Sequence, residues 1–572
     1  MKTKKTDPFS HNKFLGYVCE VTPQYISIQF PSTALLHTFY YDGDFYGGGN
    51  VGNFVIIEGS YEGFLARITS LELPLSERKE VTEKAIQNSD TEFHPMGKAE
   101  LLLTFNVYSP EKIECTCSCY PIIGAKVFSC SEEQIKKYIE KFGTKDNEEK
   151  NLPYAKIGKL VSNNAPCNVS LNSLFGRHCA VVGTTGSGKS WTVAKLVECL
   201  SKQTENKIIL IDPTGEYENL FSKNYSIGEN SFFNYKELSN SQFCSLFREH
   251  SPNTSSVLCD AINTLRLVKK NILQDCIKVG ENVEDVESKI SNNINNVENG
   301  EFDITKLSSQ IRNECVKQGS KEKYEKDDFK LGYCSHLIGR VNNFLNNKAI
   351  KLAFGINNTP NDKNKKNDII DIIKKFCSET NTGSETNTGK ILRISFESLS
   401  YDFSIREVIV DFIAKILLEK ARKREFSKSP LVLFIDEAHQ FLNKKINADD
   451  DTELYLQNIE LIAKETRKYG LFLCLSTQMP RDIPVGILSQ MGTFITHRLI
   501  NDLDKKALIN ATQSSSGGLL SFLPVLGEGE AILFGVDFPM PLLMKIDVPD
   551  KHPKSDTPKL RLVDKQGNSS SQ

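Results

Sequence analysis

The sequence predicts a mixed α/β chain in which a small all-β domain precedes a parallel sheet covered by helices, with a mainly helical insertion dividing the sheet's sequence in two. Three observations carry this reading. Strand-like runs without helical period fill the first part, and strands alternate with helices from Cys179 onward. A glycine-rich turn, GTTGSGKS at Gly183 to Ser190, joins the first of those strands to the first of those helices.

Bulk properties set the limits. At 572 residues the chain has room for about three to four domains. Hydrophobic residues make up 39% and charged residues 25%, the balance of a folded protein and not of a disordered one. The formal net charge of -2 supplies no global attraction for nucleic acid, so DNA contact has to come from a local basic surface such as a pore lining. No run of about eighteen apolar residues occurs, and MKTKKTDPFSHNK is polar with no apolar leader behind it. The expectation is a cytoplasmic protein without a membrane span. Fifteen cysteines, an odd number scattered through the chain, read as reduced thiols rather than a disulfide framework. Cys115, Cys117 and Cys119 alternate in KIECTCSCYPII, with Cys130 following. Period two puts the three on one strand face, a reading favoured over a metal site because zinc ligands usually arrive as wider-spaced loop pairs.

Taken in order, FLGYVCEV, YISIQF, NFVIIEG, GFLARITSLEL and AELLLTFNVY are the strands of the all-β part, with Gly47, Gly48 and Gly49 as a turn or kink between them. Ser131 to Phe142 reads as a short helix and TKDNEEKNLP as a linker. AVVG, the glycine-rich turn, the helix WTVAKLVECLSK and the strand KIILIDPTGEY then make a βαβ unit. The polar stretch from about Phe221 to Gly389 contains one clear amphipathic helix, SSVLCDAINTLRLVKKNIL, and ends in the tandem repeat SETNTG, expected to be a mobile loop. The sheet resumes at KILRISFES, followed by the helix SIREVIVDFIAKILLEKARK and the strand of LVLFIDEAHQFL. A helix in DTELYLQNIELIAKETRKYG is expected to stop at Gly470, and LFLCLST, TFITHRL and GEAILFG are further strands. The expected division is 1–150 for the β domain and linker, 151–220 and 390–550 for the two parts of the sheet domain, 221–389 for the insertion, and 551–572 for an extended tail.

GTTGSGKS satisfies G-x-x-x-x-G-K-[ST], in which glycines let backbone N–H groups approach phosphates and the following helix N-terminus adds positive potential. The expected ATP-binding set is Gly183, Thr184, Thr185, Gly186, Ser187, Gly188, Lys189, Ser190 and Trp191, with Lys189 on the β- and γ-phosphates and Ser190 on Mg²⁺. Asp436 and Glu437 end an apolar strand, at the edge where open α/β sheets bind ligands. Asp436 suits a Mg²⁺ contact and Glu437 suits orienting and deprotonating the attacking water. Gln478, after LFLCLST, is placed to sense the γ-phosphate. Arg467 closes a helix, where it either complements the helix dipole or serves a neighbouring subunit's nucleotide as an arginine finger. Arg177, twelve positions before Lys189, either reaches phosphates or sits exposed ahead of the strand.

Five segments together resemble the HerA-type ATPases of the HerA/FtsK superfamily. They are GRHCAVVGTTGSGKS at 176–190, IDPTGEY at 211–217, LFIDEAHQFL at 433–442, ETRKYGLFLCLSTQMPRDIP at 465–484 and THRLINDLDKKAL at 496–508. The first domain looks like the barrel that precedes the motor in this family, while the insertion carries no matching motif. The resemblance implies a RecA-like P-loop motor, a homohexameric ring and a central channel for double-stranded DNA. It also implies nucleotide sites between subunits, with Arg467 acting in trans, Arg177 matching a family arginine that serves catalysis, and Asp212 and Glu216 supporting the active site. Archaeal members work with a nuclease in DNA end processing, and many bacterial ones are encoded with a nuclease-like or Sir2-like effector in defence against phage. A separate effector protein is therefore expected, since no nuclease motif stands in this chain, and the Lys- and Asn-rich composition fits a bacterial source. A ring that serves mainly as an assembly platform for an effector is the competing reading. A secretion or conjugation ATPase is a third.

Overall fold

The computed structural model describes residues 9–23, 25–78, 93–114, 119–140, 153–162, 164–221, 223–249, 251–273, 277–293, 300–319, 322–356, 366–379, 390–399, 401–442, 457–512, 521–538 and 540–554. Cys115 and Cys117, the linker before Pro153, most of the SETNTG repeat and the tail beyond Lys554 lie outside the described residues.

The first part folds from β1 (Phe14–Val21), β2 (Ile26–Gln29), β3 (Phe54–Ile57), β4 (Glu62–Glu72), β5 (Met96–Asn106), β6 (Ser109–Glu114) and β7 (Lys126–Ser129). The strands pair in the order β2-β1-β7-β3-β4-β5, and β2 pairs again with β5, so six strands close into a barrel with β6 added outside β5. Closure removes the unpaired edges of an open sheet. Alternation explains the interior: Leu15, Ile28, Val55, Ile57, Ala66, Ile68 and Val127 point into one buried cluster. Register shifts at Leu65/Ala66 and Ile68/Ser70 bend the long β4 around that core. Helix α1 (Glu132–Glu140) follows the last barrel strand, where the sequence expects a helix.

The second sheet contains β8 (Tyr154–Leu160), β9 (Pro166–Ser170), β10 (Cys179–Val182), β11 (Lys207–Asp212), β12 (Lys223–Ser226), β13 (Ile391–Ser395), β14 (Leu431–Ile435), β15 (Leu471–Thr477), β16 (Thr493–Thr496), β17 (Glu530–Gly535) and β18 (Leu542–Ile546). Seven of them run parallel in the order β16-β10-β15-β14-β11-β13-β12, and β17, β18, β8 and β9 extend the sheet antiparallel from β16. Helices α2 (Lys189–Gln203), α3 (Pro252–Lys269), α4 (Asp328–Asn346), α5 (Ile405–Arg422) and α6 (Asn458–Glu465) cover it. Apolar runs with buried residues at every position are what a doubly covered parallel sheet requires. Ile208, Leu210, Val432 and Phe434 join the cluster that contains α2, while Ile209, Ile211, Leu433 and Ile435 join the one that contains α5 and α6.

Two features differ from the sequence expectation. The segment expected to be mainly helical opens with β12, a strand of the main sheet, and its helices α3 and α4 share one continuous core with α5 through Leu258, Ile262, Leu337, Val341, Val408 and Phe412. It packs onto the sheet through that core. The second feature is the antiparallel extension, of which β8, β9 and β18 were not anticipated.

Gly470 stops the turn after α6 as expected, with φ 81, and a Cβ there would lie 2.2 Å from the Phe426 carbonyl oxygen. Gly470→Ala combines a left-handed backbone with a backbone clash. We expect a cost of about 1–3 kcal/mol, read as a lower thermal midpoint, and an unchanged midpoint would refute the cap assignment.

Candidate active site

Strand direction places the glycine-rich loop. β10 ends at Val182 and the chain turns back through Gly183, whose N–H donates to the Thr477 carbonyl at 3.2 Å, while the Thr184 N–H donates to the Arg498 carbonyl at 2.9 Å. These bonds pin the loop between the ends of β15 and β16. A Cβ on Gly183 would fall 2.6 Å from His497 Cβ, and Gly188 takes φ 106 at the N-cap of α2, so both positions need glycine. The Lys189 ammonium folds over the loop onto the Thr184 carbonyl at 3.1 Å. Beneath it, the buried His497 ring stands 2.9 Å from the Glu530 carbonyl through Nδ1 and 2.8 Å from the Thr192 hydroxyl through Nε2. Nδ1 must carry the proton toward the carbonyl, so Nε2 accepts from Thr192. Trp191 turns away toward the C-terminal segment, its ring 4.7 Å from that of His552.

A cluster of carboxylates faces the loop. Asp436 follows β14, is buried, and accepts a hydrogen bond from the Tyr217 hydroxyl at 3.1 Å. Burial, with Glu437 beside it, pushes the Asp436 carboxyl up to about 7. Glu437 adopts the left-handed region at φ 43, and its carboxylate lies 3.3 Å from His439 Nδ1. Burial raises the Glu437 pKa, and the nearby Lys189 charge partly offsets this. Lys189 is in turn lowered by burial against the pull of Glu437, Asp436 and Glu216. The Glu216 Oε2 atom is buried without a hydrogen-bond partner among the described residues. Ser190 sits beside the Tyr217 phenol. The Gln478 side-chain oxygen accepts from the Thr185 hydroxyl, and its amide lies beside Glu437, so it spans loop and carboxylate.

Asp212 plays a different part from its neighbour Glu216. Its carboxylate takes the Arg393 guanidinium at 2.7 Å and the backbone N–H groups of Gly215 and Tyr217 at 2.8 and 3.1 Å. Fully paired, it shapes the IDPTGEY loop that carries Tyr217 to Asp436 and leaves Glu216 facing the pocket. Tyr217 and His497 lie in segments matched to the family pattern, yet no role attached to either, because only the fold shows what their side chains touch.

Among the described residues no three His, Cys, Asp or Glu side chains converge as a metal cage. The Ser190 hydroxyl and the carboxylates around Asp436 and Glu216 instead offer hard oxygens of the kind Mg²⁺ shares with phosphates and water, and the orphaned Glu216 oxygen is such a donor.

The two predicted arginines lie elsewhere. β10 and β15 are parallel with Cys179 opposite Cys474, so Arg177 and Arg467, which precede these strands, stand at the edge of the sheet opposite the glycine-rich loop. Four strand residues alone separate the edges by about 13 Å. Arg177 Nε binds both oxygens of Asp537 at 3.0 and 2.8 Å. Both arginines line one cavity of about 690 Å³ with His178, Phe494 and Phe534. The structure therefore gathers Lys189, Ser190, Asp436, Glu437 and Gln478 at one edge and Arg177 and Arg467 at the other.

Two family models match the chain: "Helicase HerA, central domain" over residues 155–382 and "Helicase HerA-like C-terminal" over residues 413–537. The chain belongs to the HerA family. The central-domain match runs on through α3 and α4, so the helices that carried no motif fall within it. As a HerA-family member the chain is an ATP-hydrolysing enzyme of the translocase or helicase class. Similar curated proteins include the DNA double-strand break repair helicase HerA of Sulfurisphaera tokodaii, 27% identical over 68% of this chain and 69% of that protein. The protein of the same name from Sulfolobus acidocaldarius is 28% identical over 75% of this chain and 74% of its own length. A weaker likeness is to the plasmid coupling protein TrwB in complex with ADP and Mg²⁺, at a TM-score of 0.40 and 14% identity over 70% of this chain and 91% of that one.

Burial holds His497 down to about 4 in the folded chain. A folded value below the unfolded one of about 6.5 means that the unfolded chain takes up the proton first. This contribution to stability is complete above about pH 6.5 and is lost as pH falls toward 4. We expect His497→Gln to flatten the fall in thermal midpoint over that window; an identical slope in the variant would contradict the buried neutral ring.

Proposed function

We propose that this HerA-family chain is a homohexameric, ATP-driven motor that translocates on or unwinds double-stranded DNA and works with a separate nuclease or Sir2-like effector. The observation that supports it most is the division of the site between two edges of one sheet. Lys189 is the cation that folds over the loop, and Arg467 and Arg177 stand at the other edge, out of reach within the same chain. Head-to-tail packing in a ring brings the second edge of one subunit to the first edge of the next. In this reading residues 1–150 form the barrel domain and linker, 151–220 and 390–550 the motor, 221–389 an insertion packed on it, and 551–572 a tail.

Gly183 to Gly188 cradle the phosphates with backbone N–H groups, and Lys189 holds the β- and γ-phosphates. Ser190 and Asp436 would hold Mg²⁺, which would supply charge neutralisation on the phosphates. Glu437 takes the proton of the attacking water; its burial raises its basicity above that of an exposed carboxylate, and the Lys189 charge partly offsets this. Gln478, between Thr185 and Glu437, reports the state of the γ-phosphate to β15. Arg467 stabilises charge on the transferring phosphoryl group of the neighbour, with Arg177 beside it. Among the described residues no helix is long and apolar enough to cross a membrane.

Purified protein should hydrolyse ATP, and Lys189→Ala should abolish turnover; persistent hydrolysis in the variant would sink the site. Glu437→Gln should lower kcat by roughly 10²- to 10⁴-fold with ATP binding retained. Mixed Arg467→Ala and Glu437→Ala subunits should regain part of the lost turnover, and no recovery at any ratio would rule out the trans arginine. Duplex DNA should stimulate turnover in a salt-sensitive manner. The second reading, a ring that mainly organises its effector, is favoured by the net charge of -2, and DNA-independent turnover would select it.

A further inference from the structure

Arg67 stands on β4 where the barrel meets the motor, and only 2% of it is exposed. Its Nε and Nη1 atoms are buried and reach no hydrogen-bond partner among the described residues. The guanidinium lies 5.7 Å from the ring centre of Phe54, on the barrel, and 5.7 Å from that of Phe522, on the motor. Glu100 is opposite it in the β4–β5 register and feels its charge: burial raises the Glu100 pKa and Arg67 pulls it back, yet no hydrogen bond or ion pair joins the two. Beside the guanidinium opens a cavity of about 240 Å³, lined by Arg67, Asn53, Ser162, Val161, Phe522 and Leu543.

Burying the N–H groups of a guanidinium without an acceptor is destabilising. The neighbouring rings meet only part of the need of a group that carries five N–H donors. What the unpartnered in-plane edge of a guanidinium matches best is a planar group with two acceptor oxygens side by side. The remaining walls, Val161, Phe522 and Leu543, suit an apolar stem, and Asn53 and Ser162 supply the polar atoms. A phosphate, charged on every side, would set oxygens against those apolar walls.

We propose that the joint between barrel and motor is a carboxylate-binding site with Arg67 as its receptor. The carboxylate belongs either to a short free acid or to an acidic side chain, flanked by apolar residues, of a partner protein. The site is separate from the nucleotide pocket and does not depend on the assignments there.

The test uses the full chain, with sodium butyrate and the capped tripeptide acetyl-Leu-Glu-Leu-amide as probes against sodium chloride at equal ionic strength. Isothermal titration and thermal midpoints are read for wild type, Arg67→Met and Arg67→Lys. Wild type should bind a probe and gain several degrees in midpoint. Arg67→Met should gain nothing while keeping ATP turnover, and Arg67→Lys, which keeps the charge but not the fork, should bind at least tenfold more weakly. Binding of butyrate alone assigns a free acid, and binding of the tripeptide alone assigns a partner's side chain. Binding of both supports the receptor itself. If neither probe binds wild type, or Arg67→Met responds equally, the proposal is overturned; should Arg67→Met fail to fold, the titration of wild type and Arg67→Lys decides alone.

Discussion

Strand direction is the constraint on which the rest of the structure depends. Seven parallel strands give the sheet two unlike edges, and every loop that leaves a strand's C-terminal end meets the others on the same side. That is why Gly183 to Ser190, Asp436, Glu437 and Gln478, far apart in sequence, gather at one edge. It is also why Arg177, only twelve residues before Lys189, does not join them: β10 runs between the two. Sequence proximity and spatial proximity part company across one short strand.

Within the pocket, charge is balanced unevenly and the imbalance is informative. Asp212 is buried but satisfied by Arg393 and backbone N–H groups, and so it acts on the loop's shape. Asp436, Glu437 and Glu216 lie close to the ammonium of Lys189; burial raises the proton affinity of Asp436 and Glu437, Glu437 and Glu216 add to it at Asp436, and Glu216 adds to it at Glu437. Acceptor oxygens in this excess are of the kind a divalent cation takes, and its charge would offset that of the carboxylates and of any phosphate beside them. His497 and Thr192 form the neutral floor that keeps the loop in place beneath these charges.

Much of this was legible from the residues alone, for identifiable reasons. The βαβ unit around GTTGSGKS, the strand leading to Asp436 and the stop at Gly470 each rest on a local rule that tertiary context does not override. The sheet's edges were less legible. KNYS at Lys223–Ser226 is too polar to read as a strand of a covered sheet, and it qualifies because it is the outermost strand, paired on one side only. β8, β9 and β18 pair antiparallel at the other end, where no alternation with helices announces them. Closure of the barrel by β2 and β5 is a long-range pairing that no window of sequence contains. In the site, the motif positions Asp212 and Glu216 were visible but their different surroundings were not, since the pairing of Asp212 depends on Arg393 arriving from a strand some 180 positions later.

The proposed division of the site between two sheet edges calls for a second copy of the chain, and one measurement addresses that requirement directly: ATP turnover per chain, followed as the protein is diluted through its assembly range while its mass is determined at each concentration. Turnover per chain should fall together with the assembled fraction, because an isolated chain holds the loop and carboxylates without a neighbour's arginine. Turnover that stays constant down to the monomer would contradict the account.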